Sequence, residues 1–378
     1  IHGATFASAD VTENTADVAA ALATNNGEAT LFMWNDVAYI AKYGEVVITS
    51  AADEATTVRG VVEYSTGLTS ATVAEGIEVV GDRTFRKCTN LETVALPNTL
   101  TEIGPAVFQS CSNLANITIP ESVTTIGEGA FAECTSLTSI NIPDGITRLE
   151  KDVLRNTGLV SIEIPASVNY IGAYAFRDCE SLTEIKILSP EFTIENNSFS
   201  NMAAPVPTMT IHVVNNEMKA YLESTLTAYD KTYITVVGPT SVSNTEGLKA
   251  ALDADAKIVS VAAGEYTFPA TSVDAGQTII CAEGTVFTGT SSLDIEGATV
   301  IGATFKNENG TAVSGTVYGE FKNCTFEGSE ALRWCYATAG ETTIFENCVI
   351  KTDFRGFHYD GLAGTVIFRN CEINGFNA

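Results

Sequence analysis

The side chains best able to do chemistry gather late in the chain. Arg333, Trp334, Cys335 and Tyr336 form one group, and Phe354, Arg355, Phe357, His358, Tyr359 and Asp360 form a second. Aromatic rings beside arginine, histidine and a carboxylate can stack on a sugar ring while bonding its hydroxyls. On successive coils with a period of roughly 24 residues, Trp334 would lie beside His358 and Arg333 beside Phe357. Hydrolysis of a glycosidic bond needs a pair of carboxylates across that bond, and only Asp353 and Asp360 are near. Three readings of the group stay open: an aromatic stack closing a coil, a glycan contact and a catalytic site. The remaining histidines are His2 and His212. The sequence has no nucleophile elbow, phosphate-binding loop, His-Glu-x-x-His pair or calcium loop. The expectation is no catalytic residue, no metal ligand set and no cofactor.

Cysteine is the other reactive type, at 88, 111, 134, 179, 281, 324, 335, 348 and 371. No Cys-x-x-Cys pair or zinc-spaced Cys/His cluster appears among them. Cys88, Cys111 and Cys134 are evenly spaced; one more equal step lands on Thr157, and Cys179 falls one position short of the step after that. An even interval of that length marks a structural repeat. Thiols placed once per repeat on an apolar ladder act as small hydrophobes. Stacked thiols also point the same way, which opposes the disulfide torsion. They are expected to be buried and reduced.

The elements that would position these residues follow from the repeat. One copy reads Ile103-Gly104, Phe108, Cys111, Leu114, Ile117, Ile119, Pro120; the next reads Ile126-Gly127, Phe131, Cys134, Leu137, Ile140, Ile142, Pro143. A weaker copy carries Leu149, Leu154, Thr157, Leu159, Ile162, Ile164 and Pro165 and is one residue shorter. Alternation of Ile117 and Ile119 with Asn116 and Thr118 predicts a half-buried strand. The Gly-x-x-Ala-Phe stretch predicts a tight turn into a short helical piece. No unit can bury its own apolar stripe, so neighbours must stack.

The wording Ile-Gly-x-x-Ala-Phe-x-x-Cys-x-x-Leu-x-x-Ile-x-Ile-Pro resembles the BspA-type leucine-rich repeats of bacterial and protist surface proteins, over roughly residues 68–200. That resemblance implies a curved solenoid with one short strand per unit. It also implies a surface-exposed adhesion or interaction role without catalysis, and a helix-and-strand cap over 211–237. Two outward columns of the strands are candidate binding positions. Thr93, Asn116, Ser139, Ser161 and Glu184 form one; Ala95, Thr118, Asn141, Glu163 and Lys186 form the other. The alternative is a solvated sheet face with no ligand.

Phe321, Cys324 and Phe326, then Phe345, Cys348 and Ile350, then Phe368, Cys371 and Ile373 recur at a nearly constant interval. This pattern resembles a right-handed parallel β-helix, with an amide ladder of Asn323, Asn347 and Asn370 beside the thiols. Ser243 with Glu246 fits a capping box that opens a helix across the first coils. Asn14-Thr15 followed by Val18, Ala20, Ala21 and Leu22 repeats the later Asn244-Thr245 pattern, and residues 1–6 echo 301–305. The fold class is thus mainly β-solenoid. It comprises a small α/β segment (1–60), leucine-rich repeats with their cap (61–238) and a parallel β-helix (239–378). The last rung is as well formed as those before it. The β-helix is therefore expected to be incomplete at its C-terminus, with its open end a place for further chain or self-association.

Twenty Lys and Arg against 46 Asp and Glu give a net charge of -26, which repels nucleic acid and anionic lipid. No apolar run approaches the roughly 18 residues needed to cross a membrane, and the chain starts with Ile1, as a processed form or fragment does. The reading is an extracellular or cell-surface protein that binds a host or neighbouring-cell protein or glycan. The alternatives are a β-helix polysaccharide lyase or hydrolase carried on the repeats, and a structural fibre of a phage or surface filament.

Overall fold

The structure, a computed structural model, describes residues 30–34, 37–42, 45–50, 57–58, 62–195, 197–199, 208–227, 230–268, 272–288, 294–336, 340–358 and 364–374. The expected N-terminal helix around 14–22 and residues 1–6 lie outside them. The chain divides into two compact units, Ile1–Val213 with Glu217–Val237, and Val214–Asn216 with Gly238–Ala378. Both are parallel β-solenoids, together about 12 turns.

In the first unit each coil has three sides. The strand face carries Ser70–Val73, Thr93–Ala95, Ser161–Ile164 and Glu184–Ile187. It is preceded by Glu45–Ser50, which pairs in parallel with Ser70–Val73 and antiparallel with Val37–Lys42. A second side, missed by the sequence reading, bears a two-residue strand ending at the residue before the repeat glycine, as in Glu102–Ile103 and Thr125–Ile126. The third side is a run of turns, and the expected helical piece does not form there. Arg83 and Lys87, Ala106 and Ser110, and Asp152 and Asn156 take left-handed φ between 53° and 63°, at matching positions of their coils. That conformation costs non-glycine residues about 1–2 kcal/mol each. Bonds between coils offset it: the amides of Arg83, Phe85 and Lys87 donate to the carbonyls of Pro105, Val107 and Gln109 at 3.0, 2.9 and 2.7 Å.

Proline withholds one ladder bond at the end of the strand face. The amides of Ala74 and Leu188 donate to the carbonyls of Ile48 and Ile164 at 2.8 and 2.9 Å. Pro97, Pro120, Pro143 and Pro165 occupy the same position in the coils between, and proline has no N–H to give. The five-stranded sheet ends at Thr93–Ala95, which pairs with Ser70–Val73 although Pro97 follows it, and a four-stranded one starts at Ser161–Ile164. Residues 116–119 and 139–142 follow the same path without ladder pairing.

The interior is a stack of like residues. Phe85, Phe108 and Phe131 are fully buried with ring centroids 5.4 Å apart, and Phe176 lies 5.6 Å from Phe199. Cys88, Cys111, Cys134 and Cys179 are free and buried. Each thiol donates to a carbonyl of the preceding coil, those of Val62, Phe85, Phe108 and Leu154, at 3.0–3.1 Å. Thr157 keeps the column with a hydroxyl that donates to Leu154 at 2.9 Å. The repeat glycine is needed for approach, not for φ. A Cβ on Gly127 would stand 2.5 Å from the Pro105 nitrogen and 2.7 Å from the Gly104 carbonyl carbon. Gly127→Ala should therefore cost about 1–3 kcal/mol by overpacking; an unchanged urea midpoint would mean wider coil spacing. Strand Met209–Val213, helix Asn216–Thr225 and strand Ile234–Val237 follow the last repeat.

In the second unit the parallel rungs stack Phe287, Phe305 and Phe326 in one column and Phe321, Phe345 and Phe368 in another, at 5.1–5.4 Å. Cys324, Cys348 and Cys371 donate to Val300, Phe321 and Phe345 carbonyls at 3.2–3.4 Å. The expected amide ladder is absent among the described residues. Asn323, Asn347 and Asn370 are exposed corner residues with φ of 50–54°, where Gly302 stands one coil earlier. Asparagine tolerates that conformation, and its backbone rather than its amide repeats. The capping box is also corrected. Helix Thr245–Asp253 is capped by Asn244, whose side chain accepts from the Gly247 amide at 2.7 Å. On the last rung Phe368 and Ile373 are each 37% exposed, and residues 375–378 lie outside the described ones.

Candidate functional site

The ladder brings part of the candidate columns into register, while Asn116, Thr118, Ser139 and Asn141 lie on coil sides without ladder pairing. Ser161, Glu184, Thr210 and Thr235 stand in line on successive strands, beside Glu163, Lys186, His212 and Val237. Asn116, Thr118, Ser139 and Ser161 are exposed, with no partner for their side chains among the described residues. Val160, 49% exposed, adds one apolar point next to Ser161.

Asn141 departs from the expectation. Its amide accepts from the Ile119 N–H at 2.8 Å and donates to the Ile119 carbonyl at 2.7 Å. In a full ladder that carbonyl would receive the N–H of residue 143, which is proline. Asn141 is a stitch that substitutes for the missing ladder bond. Other small polar side chains on the corners do the same. Thr99 donates to Ile77, Ser122 to Leu100 and Ser112 to Thr89, at 2.6–3.2 Å.

Toward the cap the face turns ionic. Lys186 is buried, and its ammonium lies 2.7 Å from Glu163. His212 Nε2 lies 3.6 Å from Glu184. Sequence reasoning placed His212 only in the cap, because it falls three positions later than an unbroken repeat would put the partner of Lys186. The coil lengthens there, and spacing alone gives no sign of the alignment. On the turn side, the Ser110 hydroxyl and then Arg155 hold Glu133 below its ordinary value.

Five of the buried thiols are poor nucleophiles. Burial pushes Cys88, Cys134 and Cys281 up to about 12, and raises Cys111 and Cys179 as well. A thiol that stays protonated is neither nucleophile nor metal ligand. Among the described residues no cluster of His, Cys, Asp or Glu has metal-holding geometry.

For the aromatic group, only backbone placement is described at Arg333, Trp334, Tyr336, Arg355 and His358, while Tyr359 and Asp360 lie outside the described residues. Arg333 pairs with His358, Leu332 with Phe357 and Glu330 with Arg355. The expected pairing of Trp334 with His358 is therefore one position out. The register slips between Gly328, which faces Thr352, and Glu330, which faces Arg355, so the second strand gains one position on the first. Arg333 and His358 are thus backbone partners on adjacent strands.

Residues 60–183 and 101–227 match the model of the BspA type leucine rich repeat region, in six copies. Among solved structures, a leucine rich cell surface protein from Faecalibacterium prausnitzii A2-165 is 17% identical, over 78% of this chain and 85% of that one, with TM-score 0.31. A leucine-rich repeat protein from Bacteroides ovatus ATCC 8483 is 15% identical, over 84% and 93%, with TM-score 0.26. The T. pallidum leucine rich repeat protein is 22% identical, over 42% and 68%, also with TM-score 0.26. No curated protein matches the chain. Among the described residues no helix is long and apolar enough to cross a membrane.

Proposed function

Because residues 60–227 are a BspA-type leucine-rich repeat region, we propose that the chain is a non-catalytic interaction protein of the cell surface or extracellular space that binds a protein partner through the strand face. The observation that carries this reading is the set Asn116, Thr118, Ser139 and Ser161, exposed on a parallel scaffold and without partners among the described residues. Nearby small polar side chains such as Asn141, Thr99 and Ser122 are instead occupied in stitching coils together. A protein partner is favoured over a glycan because neither column holds an aromatic ring for sugar stacking, while Val160 offers an apolar contact. Glu163 contributes through its ion pair with Lys186, which fixes the edge of the face. Arg333, Trp334, Tyr336, Arg355, His358, Tyr359 and Asp360 are a second candidate surface, the one suited to a glycan.

The test is binding of the full chain to parallel panels of surface and matrix proteins and of glycans. A protein ligand whose binding weakens at least about tenfold with Ser139→Arg supports the reading. Glycan binding lost with Trp334→Ala and indifferent to Ser139→Arg would transfer the function to the second surface.

A further inference from the structure

The array has a weak joint, and several independent features meet at it. Elsewhere on the short-strand side, two amides per coil donate to the coil before. Thr124 donates to Thr101 and Gly127 to Ile103, then Asn169 to Thr147 and Gly172 to Leu149, all at 2.8–2.9 Å. Between the Phe131 coil and the Leu154 coil the equivalent bonds, from Thr147 and Glu150, are not made. The short-strand sheet divides at that point, with Thr125–Ile126 ending one part and Arg148–Leu149 starting the next. On the strand face Pro165 withholds the donor that the Ile142 carbonyl needs, and one weak backbone bond spans the gap, from Val160 to Thr138 at 3.3 Å.

The turn side alone is intact there. Gly129, Phe131 and Glu133 donate to Lys151, Val153 and Arg155 at 2.7–3.0 Å. The side chains change at the same coil. Leu154 interrupts the phenylalanine stack, Glu150 replaces the repeat glycine, and Thr157 replaces the cysteine. The copy is also one residue short. Coils elsewhere in the array share several bonds on more than one side; these two are fastened along the turn side and by a single weak bond on the strand face.

We propose that this joint is a hinge, with the turn side as its axis and the coils on either side moving as two blocks. Opening it changes the curvature of the strand face, separating Asn116 and Ser139 on one block from Ser161 and Glu163 on the other. Small rotations between packed blocks about a single attached edge are a common form of conformational change. The inference rests on bonding geometry and holds whether or not the face binds a protein.

Spin-label distance distributions on the full chain test it. Labels at exposed Asn116→Cys and Thr235→Cys span the joint; labels at Ser161→Cys and Thr235→Cys lie within one block. The spanning pair should give a distribution at least about twofold wider than the control. Equal widths would overturn the hinge. Glu150→Gly with Leu154→Phe rebuilds the repeat at the joint and should narrow the spanning distribution. If that variant folds and the width persists, the decayed coil is not the cause. If it does not fold, the comparison of the two parent pairs decides alone.

Discussion

Raising the pH from about 8.5 to 10 should destabilise the repeat array, by roughly 3 kcal/mol per pH unit at full effect from Cys88 and Cys134 alone. The cause is the thiol column. Burial holds Cys88 and Cys134 up to about 12 and pushes Cys111 and Cys179 upward too. In the unfolded chain a thiol ionises near 8.5. Above that value the unfolded state releases protons that the folded state keeps, so each rise in pH favours unfolding. The loss begins at the unfolded pKa and continues to the folded one. Cys88 and Cys134 each contribute about 1.4 kcal/mol per pH unit over that window, and Cys111 and Cys179 add in the same direction. Thr157 shows that the column accepts a hydroxyl. A Cys88→Thr, Cys111→Thr, Cys134→Thr variant should therefore keep its fold and lose most of the slope. Urea midpoints at several pH values measure both. A flat profile to pH 10 would show that the thiols ionise freely in the folded state, and an equally steep variant would show that other groups cause the slope.

Phe108→Ala should be the most damaging single side-chain change, at about 3–5 kcal/mol. Phe108 is fully buried and stacked on both faces, by Phe85 and Phe131. Its removal leaves a cavity between coils that the turn-side bonds hold at fixed spacing, so collapse is limited. The damage should also spread, because coils stabilise one another through their interfaces. Urea unfolding should show a lower midpoint together with a change in m, as one part of the array unfolds before the rest. A loss below about 1 kcal/mol would place the ring at the surface.

The parts of the fold written as spacing were legible from sequence. Evenly spaced cysteines set the coil length, but the alternation of Ile117 and Ile119 that predicts a half-buried strand falls on a coil side without ladder pairing. What escaped was backbone conformation carried by ordinary residues. Arg83, Lys87, Ala106 and Ser110 adopt left-handed φ because bonds to the next coil hold them there, and nothing in their side chains announces it. The register slip after Gly328 is likewise a property of two strands together. For the candidate site, alternation identified exposed positions such as Asn116, Thr118 and Ser139, but it also placed the buried Lys186 outward. It could not separate Asn141, which repairs a ladder broken by Pro143, from Asn116, which makes no such bond. The proline itself was visible; its consequence needed the neighbouring coil.

The central claim is that the strand face is where this chain meets its partner. The most direct measurement is the dissociation constant for a bound surface protein across arginine substitutions placed coil by coil, at Asn116, Ser139 and Ser161, with Thr124→Arg on the short-strand side as control. These positions are exposed, so folding should be preserved in all four. The account predicts at least about tenfold weakening at the three strand-face positions and little change at the control. Uniform affinity across all four, with loss confined to Arg333→Ala or Trp334→Ala, would contradict it.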